Sequence, residues 1–350
     1  MLVSDFDFEL PDDQIAQEPR PRGQSRLLVV RRQDQTWQEH AFSDLATLLD
    51  PGDVLVANDT RVFPARLIGR RDPSGGAVEC FLLERESDTE WLALVHPGQK
   101  LKPGARMVFE DPERAPGVRI DGEIVNRRFF GRRLVRFDVA GAPSLDAAVD
   151  VLGHVPLPPY IKRPDAAVDR ERYQTLFARD RGSVAAPTAG LHFDAGTLDA
   201  VRNRGVAWTT VTLHVGYGTF KPVRAERVED HEVDPERYSV SSAAAEQIRG
   251  ARARGHRVIA VGTTTTRALE SAARASGELL AGAGTADLFI FPGHQFRAID
   301  GLLTNFHLPK SSLLMLVAAF AGRELTLAAY RHAVTAGFRF YSYGDAMLIV

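Results

Sequence analysis

Val258-Ile259-Ala260-Val261-Gly262-Thr263-Thr264-Thr265-Thr266-Arg267 decides how this chain folds. Its first residues form a short apolar, β-branched run that predicts a buried strand over about Arg257–Val261. Gly262 interrupts that run, and the threonines open a helix predicted to reach about Arg274. Strand, glycine turn and helix in succession are the unit of an α/β domain. The alternation continues on both sides. Val206–Val215 has strand period, with Trp208, Thr210, Thr212 and His214 on one face. A helix capped by Ser242 is predicted over Ala243–Arg254. Strands are predicted at Leu288–Phe291 and Gly301–Phe306, and helices at Ser311–Ala321 and Glu324–Thr335. Phe338–Tyr343 and Ala346–Ile349 read as closing strands. Toward the N-terminus, Arg26–Val30 and Val54–Ala57 add two buried strands. The expected architecture is an α/β main domain with a mixed sheet, covering residues 1–61 and 150–350.

Between Val62 and about Val149 the texture changes. Six short β-type runs recur: F-P-A-R-L-I-G, A-V-E-C-F-L-L, E-W-L-A-L-V-H, A-R-M-V-F, V-R-I-D-G-E-I-V and R-L-V-R-F-D. Gly, Pro and Asp clusters separate them at the spacing of an all-β barrel or sandwich. No amphipathic helix interrupts them. An inserted small all-β, barrel-like domain is therefore expected over residues 62–149. A short helix is predicted at Ala142–Ala148 and a charged one at Asp169–Arg179.

Hydrophobic residues make up 44% and charged ones 25% of 350 residues, which is ordinary for a soluble globular protein. The start M-L-V-S-D-F-D-F-E is acidic where a signal peptide is basic, so none is expected, and the longest apolar run, Leu313–Ala321, is too short to span a bilayer. A cytoplasmic protein without membrane contact is the expectation. Cys80 is the only cysteine, so an internal disulfide, a thiolate zinc site and a self-held iron–sulfur cluster are excluded. No histidine pair has metal-ligand spacing, so no metal is expected. The formal net charge of −2 gives no global attraction to nucleic acid. Any RNA must be held by a local basic cluster.

Candidate chemistry gathers at strand ends and turns. Gly262, Thr263 and Thr264 present the N-terminus of a helix, which suits a carboxylate or phosphate, or is an ordinary threonine-capped start. The loop fits neither dinucleotide nor nucleoside-triphosphate motifs. Asn58-Asp59-Thr60-Arg61 follows a buried strand, where α/β folds bind ligands, although Asp59 and Arg61 could pair with each other. Ser183–Asp194, S-V-A-A-P-T-A-G-L-H-F-D, joins a Gly-containing turn (Thr188, Gly190) to His192 and to Asp194, an N-cap for a helix ending before Gly205, or is an ordinary connection with a satisfied histidine. His154, His192, His214 and His307 stand at strand ends or turns and can move protons near neutral pH. Arg127-Arg128-Phe129-Phe130-Gly131-Arg132-Arg133 can bind phosphates and stack on unpaired bases, or can be a solvated hairpin tip.

Several of these stretches together resemble the S-adenosylmethionine:tRNA ribosyltransferase-isomerases of the queuosine pathway. They are Ser4–Pro11 (S-D-F-D-F-E-L-P), Asn58–Val62 (N-D-T-R-V), Ser183–Asp194, and His214–Val223 (H-V-G-Y-G-T-F-K-P-V). Val261–Ser271, Leu303–Leu316 (L-T-N-F-H-L-P-K-S-S-L-L-M-L) and Tyr341–Ile349 complete the set. The likeness is weaker from Pro73 to Val149, where the family has a β-barrel. Pro292-Gly293-His294, Val233-Asp234-Pro235-Glu236 and V-G-T-T-T-T-R depart from the family's usual P-G-Y, M-H-x-E and V-G-T-T-S-V-R. The resemblance implies transfer and isomerisation of the ribosyl part of S-adenosylmethionine onto 7-aminomethyl-7-deazaguanine. That base occupies the wobble position of tRNAs with G-U-N anticodons, of the Asp, Asn, His and Tyr type. Epoxyqueuosine forms, and adenine and methionine leave. S-adenosylmethionine is then a ribosyl-donor substrate, with no prosthetic group, and the enzyme is expected to be a monomer. On this reading His192, His214 and Asp59 are the candidate proton-transfer groups. Thr188, Gly190, Gly262, Thr263, Thr264 and His307 are candidates for binding substrate. Arg61, Lys310, Arg127, Arg128, Arg132 and Arg133 are candidates for binding tRNA. A conventional methyltransferase and a non-catalytic RNA-binding protein remain open from the residues alone.

Overall fold

A computed structural model of the chain describes residues 1–273 and 278–350. It divides into two compact units. One comprises Met1–Arg61, Pro158–Arg163 and Arg172–Val350, the other Val62–Leu157 and Pro164–Glu171.

The first unit is built on a nine-stranded sheet. Its strand order is Gly282–Ala286, Glu236–Val240, Ala207–Leu213, Val54–Asn58, Val258–Val261, Gly301–Asn305, Ala346–Ile349, Arg26–Arg31 and Thr36–Ala41. The pairs Val54↔Val258, Ile259↔Gly301, Trp208↔Leu55 and Leu27↔Ala346 are parallel, and the remaining ladders are antiparallel, so the sheet is mixed. The central strands are buried on both faces, which explains their unbroken apolar sequences. Residue alternation sends Val54, Val56, Val258, Ala260, Leu28 and Val30 into one core. Leu55, Ala57, Ile259, Val261, Leu27 and Val29 enter the other. The helices Ser242–Ala253, Thr263–Ala273, Ser312–Ala321 and Arg323–Thr335 contribute to the first core. The 3-10 segment Phe42–Leu48 and the helix Ala195–Asn203 contribute to the second. Each large side chain fully buried this way contributes about 1.5–3 kcal/mol.

Several local expectations are corrected. Leu288–Phe291 is not a strand; the edge strand is Gly282–Ala286, whose G-A-G-T-A sequence has no apolar run to betray it. Phe338–Tyr343 is a turn with a single bridge, Ile15↔Phe340. Its aromatic residues serve packing instead: Phe340 lies against Phe306 and Tyr330, with centroids 5.0 and 6.0 Å away. The helix at Asp169 stops at Arg172, and the Gln174 carbonyl accepts from Arg22 Nη2 at 2.5 Å rather than from a helical N–H. Ser241, not Ser242, caps its helix, accepting from the Ala244 N–H. The helix expected at Ala142–Ala148 begins at Leu145, where Ser144 Oγ accepts from Ala147, and runs to Leu152. Thr36–Ala41, a half-exposed strand paired with Arg26–Arg31, had no readable pattern. Helix Thr263–Ala273 starts where predicted; its expected last residue, Arg274, lies outside the described residues.

The second unit holds six antiparallel strands: Arg66–Asp72, Ala77–Arg85, Glu90–His96, Arg106–Glu110, Arg119–Arg127 and Arg132–Ala140. All six runs picked from the sequence are strands. Each pairs with two neighbours, so the hydrogen-bonded order closes into a ring. Leu67, Cys80, Leu82, Met107, Ile120, Ile124 and Val135 fill its interior. Burial pushes the Cys80 thiol far up, so it stays protonated and apolar in behaviour.

Among the described residues no single helix is long and apolar enough to cross a membrane. The apolar pair Ser312–Ala321 and Arg323–Thr335 is bent by 116°.

Candidate active site

Three parallel strands of the main sheet end at one open pocket, about 550 Å³ counting the solvent at its mouth. Val258–Val261 delivers Gly262, Thr263 and Thr264. Gly301–Asn305 delivers Thr304, Asn305 and His307. Ala207–Leu213 delivers Val215. Thr188 enters from the 3-10 turn Thr188–His192, and Tyr160, Tyr173, Phe220 and Tyr341 supply aromatic wall. Ligands bind at this edge of α/β sheets because strand ends leave room for loops and helix starts. A second open pocket, about 560 Å³ counting the solvent at its mouth, shares Thr219 and Leu313 with the first and is lined by two ion pairs, Lys221–Asp234 and Arg267–Glu236.

The glycine turn has a physical reason. Gly262 sits at φ 95°, a conformation open to glycine, and its N–H bonds the Leu303 carbonyl at 2.7 Å. Thr265 and Thr266 turn their hydroxyls back onto the carbonyls of Val261 and Gly262. Thr263 and Thr264 remain on the cavity wall at the start of an eleven-residue helix, whose first N–H groups lack intrahelical acceptors. Asn58 locks the adjoining strands. Its Nδ2 donates to the Leu213 carbonyl, and its Oδ1 accepts from the N–H groups of Leu213 and Thr60.

The candidate residues separate into distinct groups. Thr188, Gly262, Thr263, Thr264 and His307 line the cavity together. Gly190 does not; a side chain there would collide with Thr175 and Phe177, so this glycine serves packing. His307 is buried, its Nε2 is 3.0 Å from Thr304 Oγ1, and burial lowers its pKa to about 3. His192 lies behind the cavity wall with both nitrogens engaged. Nδ1 is 2.7 Å from Ser25 Oγ, and Nε2 is 3.0 Å from Asn305 Nδ2. Burial, with Arg22 adding to it, lowers the His192 pKa to about 3. A ring with both nitrogens engaged does not fit the proton-transfer role expected of it.

His214 and Asp59 belong to a second cluster, and neither is among the residues that line the cavity. His214 Nδ1 is 2.9 Å from Thr60 Oγ1, which also contacts Ser183 Oγ at 2.8 Å and the Asp180 carbonyl at 3.3 Å. With the Thr60 hydroxyl hydrogen on that carbonyl, the imidazole donates from Nδ1 and keeps its Nε2 lone pair free. Burial first, and then Arg237, lower the His214 pKa, while Asp180 and Asp59 oppose them. The ring is therefore neutral at pH 7 and able to accept a proton. A side chain at Gly182 would strike this imidazole at 2.6 Å, so the glycine makes room for it. Asp59 is buried and accepts from Thr210 Oγ1, Thr212 Oγ1 and Arg179 Nη2 at 2.9, 2.7 and 2.9 Å. Its cation is Arg179, not Arg61, which stands exposed.

The basic candidates divide as well. Arg127 and Arg128 are exposed on the turn between the two last strands of the ring, and Arg132 is half-buried. Phe129 and Phe130 are 88% and 90% exposed, so neither anchors the turn. Arg133 is corrected: it is 8% exposed and donates to the carbonyls of Gly98, Leu101, Gly131 and Arg132. Its guanidinium closes backbone acceptors and offers nothing to a phosphate. Lys310 is half-exposed at φ 59°, and its Nζ is 2.7 Å from Asp7.

Sequence reasoning did not single out Tyr160, Tyr173, Phe220, Asn305 or Tyr341. Phe220, Asn305 and Tyr341 lay inside quoted motifs, but distant loops meet at this wall and no local period connects them. Among the described residues no three His, Cys, Asp or Glu side chains gather in a way that could hold a metal ion.

Comparison with known proteins agrees with this geometry. The family model for queuosine biosynthesis proteins matches residues 3–349. An S-adenosylmethionine:tRNA ribosyltransferase-isomerase of Pelotomaculum thermopropionicum is 50% identical over 351 residues, covering all of both chains. One from Geobacter sulfurreducens is 51% identical over 356 residues, again covering both chains fully. The crystal structure of S-adenosylmethionine tRNA ribosyltransferase from Thermotoga maritima is 36% identical, with a TM-score of 0.56. The match covers 99% of this chain and 100% of that one. With a family match over nearly its whole length, the chain belongs to the queuosine biosynthesis family and is an enzyme of the S-adenosylmethionine:tRNA ribosyltransferase-isomerase class.

Proposed function

We propose that this chain moves the ribosyl part of S-adenosylmethionine onto 7-aminomethyl-7-deazaguanine at the wobble position of G-U-N tRNAs. The product is epoxyqueuosine, and adenine and methionine leave. The observation that carries the reading is the meeting of Thr188, Gly262, Thr263, Thr264 and His307 in one aromatic-walled cavity, from three separate motifs. The helix start at Gly262–Thr264 suits the methionine carboxylate.

The chemistry needs three things. The sulfonium acidifies the adjoining carbon, whose proton must be taken. The departing adenine needs a proton. The substrate amine must be neutral and held against the sugar, and that positioning supplies much of the rate. His214 is the proposed base, through its free Nε2, with Asp59 and Thr60 fixing the surrounding network. We take the closed ring of strands as the inserted barrel-like domain, with Arg127, Arg128 and Arg132 as its tRNA-phosphate contacts. Arg61 and Lys310 are the corresponding candidates on the main unit. Purified enzyme, given S-adenosylmethionine and tRNA bearing the 7-aminomethyl base, is expected to yield epoxyqueuosine with equal amounts of adenine and methionine. Nucleoside mass spectrometry reads the result. Unchanged tRNA beside an active relative rejects the proposal, and S-adenosylhomocysteine instead of adenine selects a methyltransferase.

A further inference from the structure

We propose that the side-chain carbonyl of Asn305 reads an exocyclic amino group on a purine-type ring bound in the cavity. Asn305 is 2% exposed, ends its strand at the cavity wall and takes no part in the proton-transfer cluster around His214. Its Nδ2 lies 3.1 Å from the Tyr341 carbonyl and 3.0 Å from His192 Nε2. A backbone carbonyl only accepts, so the amide nitrogen, not the oxygen, must face Tyr341. The second N–H then goes to His192, whose Nε2 must carry a lone pair. A neutral imidazole has one N–H, and from Nδ1 it reaches Ser25 Oγ at 2.7 Å. Burial keeps the ring in that neutral form.

Both amide hydrogens of Asn305 are thus committed, while Oδ1 is buried without any partner among the described residues. Leaving a buried acceptor empty is costly, so an unpartnered carbonyl on a residue that lines the cavity calls for a donor from a ligand. Tyr341 adds an independent sign. Its φ of 73° is an outlier for a bulky residue, and its carbonyl is the group that fixes the amide. The Tyr160, Tyr341 and Phe220 side chains in the same wall favour a flat, apolar-faced ring. An acceptor set among aromatic rings matches the amino group of adenine in S-adenosylmethionine, or that of the deazaguanine in tRNA. His192 becomes a positioning residue: it holds the amide and touches no reacting atom.

This inference rests on the proposed function, and a binding cycle tests the two separately. Full-length wild type and Asn305→Leu are each titrated with S-adenosylmethionine and with its analogue carrying hydrogen for the adenine amino group. A second arm uses tRNA with the 7-aminomethyl base and tRNA whose wobble base lacks the 2-amino group. In wild type the deaminated ligand of one arm is expected to bind about 10-fold to 100-fold more weakly, and Asn305→Leu is expected to bind both members of that pair alike. Coupling in the first arm assigns the contact to the cofactor-derived adenine, and coupling in the second assigns it to the wobble base. No coupling in either arm, with S-adenosylmethionine still consumed, overturns the inference and leaves the function standing. Absence of S-adenosylmethionine consumption by wild type overturns the function itself. Should Asn305→Leu fail to fold, wild type decides alone: equal binding of parent and deaminated ligands in both arms overturns the inference. His192→Ala, which frees the amide to turn, is expected to raise KM for the coupled ligand about 10-fold while changing kcat less.

Discussion

The cavity wall and the Arg127–Arg132 turn are built in opposite ways. At the sheet edge the polar groups are buried and held by named partners, as in the Ser25–His192–Asn305 chain and the Thr60–His214 contact. Their geometry is fixed before any ligand arrives, so they can distinguish one amino group from hydrogen. On the turn, two phenylalanine rings, Arg127 and Arg128 stand in solvent and Arg132 is half-buried, with Phe130 at φ 57°. Such groups adapt to a large polyanion and gain little from fixed geometry. On the proposed reading, the difference assigns chemical discrimination to the buried edge and charge-driven affinity to the exposed turn. Arg133 marks the boundary within a single motif: seven residues include arginines in solvent and one spent on backbone carbonyls.

The comparison is tested most severely at His214. His214→Ala is expected to lower turnover by about 10²–10⁴ without a comparable loss of thermal stability, and Asp59→Asn to lower it in the same direction. Steady-state kinetics together with melting curves check this. Full activity in folded His214→Ala would move the base to the substrate amine.

A smaller effect is expected on the turn. Replacing Arg127, Arg128 and Arg132 with Ser is expected to weaken tRNA binding. The slope of log affinity against log salt should flatten by about 0.7–0.9 for each phosphate that is no longer neutralised. S-adenosylmethionine affinity should not change. Arg133→Ser is expected to behave differently, lowering the melting temperature because buried carbonyls lose their donor. An unaltered salt slope in the folded triple variant would place the RNA on Arg61, Lys162, Arg163 and Lys310 instead.

The mildest test uses acid. His192 and His307 have folded-state pKa values near 3, below the ordinary value of 6.5. In that interval the unfolded chain binds protons that the folded chain refuses, so stability falls as pH falls from about 6.5 toward 3. The slope approaches about 1.4 kcal/mol per pH unit for each histidine. Denaturant unfolding at pH 7, 6 and 5 measures it, and His192→Asn is expected to reduce the slope. An unchanged slope would mean that His192 opens to solvent, and the contrast between buried edge and exposed turn would weaken.

Much of the fold was legible because periodicity and breakers are local. Val54–Ala57, Val258–Val261 and Leu302–Leu303 are apolar because both sheet faces are covered, and all six strands of the second unit were legible as short β-type runs set between Gly, Pro and Asp clusters. Gly282–Ala286 stayed hidden because its place comes from backbone pairing with Glu236–Val240, not from side chains. Phe338–Tyr343 misled because aromatic packing and strand formation favour the same residues.

The sequence by itself determined the α/β pattern, the run of six β segments, the cysteine limit and the motifs that carry the family resemblance, since each depends on composition or near-neighbour spacing. Only the tertiary structure decided which polar residues act together. His192 and Asn305 lie 113 residues apart, and Asn305 and Tyr341 36 apart, yet they share hydrogen bonds. Tertiary structure also buried Arg133 while leaving Phe129 and Phe130 in water, against their intrinsic polarity. The physical reason is the same in each case: hydrogen-bond satisfaction and desolvation depend on which distant chain segments meet, and that is not written in any window of sequence.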